Sequence, residues 1–196
     1  MIGIVNYGAG NIFSLTAALD RLNISYGMIN IEADFDLYDR IIIPGVGHAG
    51  TAMKKLEDTR LVPKIKNLTK PVLGICVGMQ LLTDFSEEGS AEMLGIIPVK
   101  TLKFKEEVCK KVPHMGWNQI SNVADNLLFK GIEDQSYFYF VHSYYIENNP
   151  KFTIALCTYG INFAASIQKN NFYGVQFHPE KSGESGEILL RNFAHL

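Results

Sequence analysis

Long apolar runs are missing from this chain: no stretch approaches the ~18 residues that a membrane-spanning helix needs, so no membrane partner is expected. Excess charge of one sign is missing too. Lys and Arg number 18 against 20 Asp and Glu, a net charge of −2. Without a basic surplus to neutralise phosphates, nucleic acid is not expected as a partner. Cysteine is scarce: Cys76, Cys109 and Cys157 are widely spaced, odd in number and form no CxxC pair. Neither a zinc site nor a disulfide framework is expected from such spacing, and reduced thiols suit a cytoplasmic protein. The opening MIGIVNYGAGN has no basic n-region and no small-residue cleavage site, so no secretory signal is expected. Repeats, low-complexity tracts and Pro/Gly/Ser-rich linkers are also lacking. The economical reading is one domain over residues 1–196.

What is present is an alternation of strands and helices. Residues 2–5 form a short apolar run that ends in Gly8-Ala9-Gly10, a strand and a turn. Leu15, Ala18, Leu19 and Leu22 then recur at helical spacing. Strands are expected at residues 25–31, 40–43 and 71–75, with helices over about 49–57, 61–68 and 77–85. Strands apolar on both faces and joined by helices indicate a parallel sheet covered on both sides. From about residue 99 the texture changes to short strands with turn signals, which read as antiparallel hairpins added to that sheet, and a helix over about 186–194 closes the chain.

Two turns in this pattern can carry chemistry. Gly74-Ile75-Cys76-Val77-Gly78 has the form G-x-C-x-G between an expected strand and an expected helix. It is the thiol counterpart of the nucleophile elbow, in which a strained turn projects the nucleophile and the flanking glycines remove side chains that would clash. A cysteine at a helix N-terminus is favoured as the thiolate, and the Val77 N–H is placed to face an oxyanion on an attacked carbonyl. Pro44-Gly45-Val46-Gly47 follows a neighbouring strand. In a doubly wound sheet both turns open at the carboxyl ends of the strands, where ligands bind, and a glycine-bearing loop can turn free N–H groups toward negative charge.

The base lies far away in the chain. In the run Gly174 to Glu180, an extended backbone points Val175 and Phe177 to the core and Gln176, His178 and Glu180 to the other face. Pro179 disfavours helix at His178. A carboxylate bound to one imidazole nitrogen fixes the tautomer and leaves the other free to take and return a thiol proton. An isolated histidine is more often structural; the flanking Glu180 and the Cys76 turn reverse that expectation.

The motifs PGVG, GICVGMQ and FHPE, in that order, resemble the class I glutamine amidotransferase family over nearly the whole chain. NYGAGNI, VPHMGWN, YFVHSYY and GVQFHPEKS are similar to one branch of it, the glutaminase subunits of imidazole glycerol phosphate synthase in histidine biosynthesis. The resemblance implies a flavodoxin-like α/β fold: a mostly parallel central sheet flanked by helices, with added antiparallel strands in the C-terminal half. It implies glutamine as substrate, Cys76 as nucleophile, His178 as acid/base and Glu180 as its orienter. It implies oxyanion stabilisation from Gly45, Val46, Gly47 and Val77, and glutamine binding by Gln80, His142, Ser143 and Tyr144. It implies a heterodimer with a cyclase/synthase subunit of (β/α)8 barrel form that receives ammonia through a channel. Asn11, His114, Met115, Trp117, Asn118 and Lys181 match segments that face that subunit. No metal and no cofactor are implied.

Rival readings stay open on sequence alone. The same scaffold could feed ammonia to another synthase, such as a sugar-amidating one, or run another cysteine acyl transfer. A degenerate binding module is disfavoured by the intact triad. A dinucleotide site at Gly8-Ala9-Gly10 is disfavoured because Phe13 stands where the third glycine of the fingerprint belongs. His48 reads as a loop or helix-start residue rather than an acid, and His195 as a solvated one; Cys109 and Cys157 are assigned no chemistry.

Overall fold

The computed structural model describes residues 1–109, 111–122 and 124–196. Its elements run β1 (Ile2–Val5), α1 (Ile12–Arg21), β2 (Tyr26–Ile29), β3 (Arg40–Ile43), α2 (Ala49–Asp58), α3 (Val62–Lys66), β4 (Val72–Ile75), α4 (Val77–Leu81), β5 (Phe85–Ser86) and β6 (Ala91–Glu92). They continue β7 (Lys100–Lys103), β8 (His114–Asn122), β9 (Tyr137–His142), β10 (Tyr144–Ile146), β11 (Thr153–Tyr159), β12 (Ile161–Lys169), β13 (Phe172–Val175) and α5 (Gly183–His195). Short 3-10 turns occupy Glu32–Leu37, Leu127–Phe129 and Pro179–Lys181.

The expected parallel sheet is the heart of the molecule, in the order β2-β1-β3-β4-β13 with every neighbour parallel. β1, β3 and β4 are almost wholly buried, as strands covered on both faces must be. Beyond β13 the sheet turns antiparallel through β12, β10 and β7, while the β8–β9 hairpin joins through β11. Fully buried Phe104, Phe138, Phe140, Phe163 and Phe177 contact one another ring to ring and join the antiparallel strands to the segment after β13. Each such side chain contributes about 1.5–3 kcal/mol of burial. Among them Phe138 and Phe177 pack with ring centroids 4.1 Å apart.

Two expectations need correction. The helix after Cys76 spans only Val77–Leu81, and Phe85 belongs to a strand. Gly95 and Ile96 turn back to bond the carbonyls of Thr83 and Leu82, which ends the helix after little more than one turn. The extended run through Glu180 also ends early. β13 stops at Val175, His178 is still extended, and Pro179 opens a 3-10 turn, for which its fixed φ is suited. Val175 and Phe177 do face the core, both fully buried.

Adjacent parallel strands explain how distant residues meet. In the β4–β13 register Ile75 pairs with Val175, and the Cys76 N–H donates to the Val175 carbonyl at 2.8 Å. In the β3–β4 register Ile43 pairs with Gly74. Three loops thus leave one sheet edge side by side: 44–48 after β3, the Cys76 turn after β4, and 176–178 after β13.

Candidate active site

Cys76 sits on the strained turn that its flanking glycines anticipate, with φ 54° and ψ −111°. A non-glycine residue held there stores on the order of 1–3 kcal/mol, a cost typical of sites where geometry is imposed for use. Close approach makes the strain unavoidable. A Cβ on Gly78 would collide with the Ile43 carbonyl, and one on Gly45 would lie 2.6 Å from the Gly78 nitrogen. Only glycines let the two loops touch.

His178 enters from the end of β13. Its N–H donates to the Tyr139 carbonyl at 2.9 Å, and the Ser182 hydroxyl donates to the His178 carbonyl at 2.6 Å. The imidazole Nδ1 meets Glu180 Oε1 at 2.8 Å, with both side chains almost fully buried. The contact is made through the 3-10 turn rather than across a strand pleat. Burial alone would depress the pKa of this ring. Cys76 and then Glu180 outweigh it and raise it from near 6.5 to about 10, which favours the imidazolium. The ring's Nε2 is buried without a hydrogen-bond partner among the described residues. Cys76 is therefore near enough to act on the ring, but outside ordinary hydrogen-bond geometry in this state. Cys109 and Cys157 are buried thiols; burial raises the pKa of the first and pushes that of the second to about 12.

Cys76 and His178 open into one cavity of about 320 Å³, within the range of small-molecule sites. Gly47, Val46, Gln80, His142, Ser143 and Tyr144 also line it. Gln80 donates to Gln176 Oε1 at 3.2 Å and to the Tyr144 carbonyl at 3.4 Å, which leaves its own Oε1 buried and unpaired among the described residues. An orphaned acceptor on a residue that lines a cavity calls for a donor. Glu88, given no role from sequence, brings a carboxylate to the lining, and its Oε2 accepts from the Ala49 N–H at 2.6 Å. Gln176 has no role legible in the sequence either, yet its Nε2 reaches the Cys76 sulfur at 3.7 Å. Tyr7 donates to the Pro44 carbonyl at 2.5 Å and pins the start of the glycine loop. Burial and then Cys76 hold its phenol neutral. Glu88 stands in no motif, and Tyr7, although part of NYGAGNI, is given no role by it; the folded loops bring both in.

The expected oxyanion donor is occupied. The Val77 N–H donates to the Gly45 carbonyl at 3.3 Å, so it does not face the cavity freely. Gly47 adopts φ +86°, and Val46 is 40% exposed.

The family model "Glutamine amidotransferase class-I" matches residues 4–196. The chain belongs to the class I glutamine amidotransferases. Among individual relatives of this amidotransferase, "Imidazole glycerol phosphate synthase subunit HisH" of Pasteurella multocida is 48% identical over 98% of this chain and 96% of its own length. "Imidazole glycerol phosphate synthase subunit HisH 2" of Campylobacter jejuni is 47% identical over 97% of this chain and 95% of its own. The crystal structure of a glutamine amidotransferase from Thermotoga maritima superposes with a TM-score of 0.65 at 16% identity, covering 98% of this chain and 81% of that one. That likeness shows the shared fold.

The residues expected to face a partner divide. Met115 and Trp117 are 62% and 55% exposed, and Lys181 is exposed with its ammonium 6.0 Å from the centre of the Tyr139 ring. Asn11 is half-buried and caps α1, accepting from the Ser14 N–H at 3.2 Å. Asn118 is half-buried, and His114 is buried and bonded to His142. His114 therefore does not project outward as a surface residue would. His48 caps α2 by accepting from the Thr51 N–H, and His195 is exposed at the end of α5. No helix among the described residues is long and apolar enough to cross a membrane.

Proposed function

We propose that this chain is a single glutaminase domain, residues 1–196, that hydrolyses glutamine and delivers ammonia to a separate synthase subunit of the imidazole glycerol phosphate type, in the cytoplasm. The observation that carries the reading is the convergence on one cavity of Cys76, on a strained elbow, with a buried His178–Glu180 pair raised toward the imidazolium. The family match over residues 4–196 and the two relatives near 47% identity support the assignment.

The Cys76 thiolate attacks the side-chain amide carbon of glutamine. Negative charge moves to the amide oxygen, toward Val77 and the loop Gly45, Val46 and Gly47. The His178 imidazolium gives its proton to the amide nitrogen, which leaves as ammonia and a thioester. Neutral His178 then takes a proton from water, the hydroxide adds to the thioester, and the thiolate departs from glutamate with His178 protonated again. Glu180 holds the ring and balances its charge. Gln80 Oε1 and Glu88 supply acceptors for the substrate's ammonium group, and the bend His142-Ser143-Tyr144 forms the opposite wall.

The acceptor is a second chain because bulk water protonates ammonia near neutral pH and makes it a poor nucleophile. We assign that role to a cyclase of (β/α)8 barrel form, docking over Asn11, Met115, Trp117, Asn118 and Lys181. The occupied Val77 N–H agrees with low activity alone: the Gly45 carbonyl must turn away before an oxyanion is stabilised. The test is glutamate release by wild type and Cys76→Ala, each with and without the cyclase and its nucleotide. Strong activation of wild type and none in Cys76→Ala is expected. Full turnover by the isolated wild-type chain, or by Cys76→Ala, would overturn the reading.

A further inference from the structure

Behind the cavity wall runs a chain of hydrogen bonds that the mechanism leaves unused. His114 and His142 pair across the β8–β9 hairpin, and both are buried. The direction of each bond follows from its ends. The Tyr144 carbonyl only accepts, so the His142 Nδ1 at 2.7 Å carries the proton and donates to it. In a neutral ring the His142 Nε2 is then an acceptor, and the His114 Nδ1 at 2.9 Å donates to it. The His114 Nε2 is left as an acceptor for Asn118 Nδ2 at 3.2 Å, whose other hydrogen goes to the Thr158 carbonyl at 3.0 Å. Burial depresses both rings, His114 to about 4 and His142 to about 3, so they are neutral at ordinary pH.

Packing alone does not call for this arrangement. His114 is stacked between Phe140 and Tyr159, at centroid separations of 4.8 and 4.1 Å, in a cluster otherwise made of aromatic rings. A phenylalanine would fill such a slot. The polar chain ends instead on the Tyr144 carbonyl, which also receives Nε2 of Gln80, a residue that lines the substrate cavity and whose Oε1 is buried and unpaired among the described residues. From Gln80 the contacts continue through Gln176 to the Cys76 sulfur.

We propose that His114 is a positioning residue for glutamine binding: its Nδ1–H locks His142 in the tautomer that clamps the Tyr144 carbonyl, and this holds the bend at Ser143 and the Gln80 side chain in the shape that receives glutamine. The inference rests on the glutamine reading above and adds to it a residue outside the cavity's lining.

The test uses two electrophiles on the full chain. A glutamine-shaped diazoketone, 6-diazo-5-oxonorleucine, must occupy the cavity before it alkylates Cys76; iodoacetamide needs only the thiolate. Alkylation of the Cys76 peptide is followed by mass spectrometry. His114→Phe is expected to raise the half-saturating diazoketone concentration about tenfold or more, the effect of one buried bond lost, while the limiting rate and the iodoacetamide rate stay within about twofold. His114→Asn offers an N–H where Nδ1 stood and is expected within about threefold of wild type. Nitrogen-15 spectra of the wild-type rings are expected to show both His114 and His142 protonated at Nδ1. Unchanged saturation in His114→Phe, equal damage from His114→Asn, or a proton on His142 Nε2 would each overturn the proposal. If His114→Phe does not fold, the spectra and His114→Asn decide. Wild type that reacts with iodoacetamide but not with the diazoketone would instead remove the glutamine reading itself.

Discussion

Replacing Glu180 by glutamine removes one charge and changes almost nothing else in shape. In the wild type the carboxylate meets His178 Nδ1 at 2.8 Å with both side chains buried. A carboxylate only accepts, so Nδ1 keeps its proton and Nε2 is left as the nitrogen that exchanges a proton during catalysis. An amide can donate as well as accept, and a neutral amide does not balance an imidazolium. Two losses follow: the tautomer is no longer fixed, and the imidazolium loses the charge that balances it. Replacing the carboxylate of such a triad with an amide costs on the order of 10⁴ in turnover, and general acid–base steps span about 10² to 10⁴. The expected fall in glutamine hydrolysis is therefore about 10²- to 10⁴-fold, or roughly 3–5 kcal/mol of barrier.

The pH dependence carries the sharper test. His178 is raised from near 6.5 to about 10 by Cys76 and Glu180 against the effect of burial. A pKa raised by folding stabilises the native state fully below about 6.5, and that stabilisation is lost as pH climbs through about 10. In Glu180→Gln the native pKa moves down and the window narrows from its upper end. Two measurements read this: iodoacetamide reactivity of Cys76 against pH, and thermal midpoints from pH 6 to 10. The wild-type midpoint should decline toward pH 10, and the variant should show a smaller decline that is complete at lower pH. Identical profiles in both proteins, or turnover within about threefold of wild type, would refute the assignment of Glu180 as the group that orients and charges His178.

Backbone strain at residue 76 gives a prediction independent of chemistry. Cys76→Gly and Cys76→Ala should both abolish turnover, but the glycine relieves a positive φ, so its thermal midpoint should exceed that of the alanine variant by about 2–4 °C. Gly78→Ala drives a methyl group into the Ile43 carbonyl; a loss of about 3 kcal/mol or more is expected by chemical denaturation, since overpacking against backbone has no soft neighbour to yield. Trp117→Ala removes an exposed ring that lies 6.2 Å from Tyr139. On the docking face proposed above, it should weaken titrated cyclase binding about 10- to 100-fold, the usual effect of losing a central interface tryptophan, and move the isolated chain's midpoint by less than about 2 °C.

Local pattern carried much of this far. The strand at residues 40–43 was legible to its ends because four residues, three of them isoleucine, stop at Pro44-Gly45, and the Cys76 elbow was legible because its glycines are local steric requirements. Helix length after Cys76 was not. Residues 77–85 read as continuously helical, but they are cut short by backbone bonds from Gly95 and Ile96, a tertiary cause with no mark in the window itself. The pairing of His178 with Glu180 followed from their spacing, though through a turn opened by Pro179 rather than a pleat. Glu88, Tyr7 and the His114–His142 pair were out of reach. Each matters through a residue at least 28 positions away, and only strand register brings the partners together.

The same register explains the resting state of the glycine loop. β3 and β4 deliver their loops side by side, and Gly45 and Gly78 touch with no side chain between them. Contact that close leaves the Gly45 carbonyl as the acceptor for the Val77 N–H, at 3.3 Å. A bond of that length between neutral groups is worth no more than about 0.5–1.5 kcal/mol net. Rotating one peptide out of it needs no movement of strand or helix. Tyr7 anchors the loop at Pro44, whereas Gly47, at φ +86° with open space where a Cβ would stand, leaves the far end free to turn. Val46 is exposed between the anchor and the pivot, so on the proposed function it is where a docking subunit would reach the peptide. A shift of about 1.4 kcal/mol in that equilibrium is a tenfold change in the competent fraction. On the function proposed above, a partner that turns this peptide would raise ammonia release while it supplies the ammonia's destination, and the bond from the Val77 N–H to the Gly45 carbonyl is the one it would have to break.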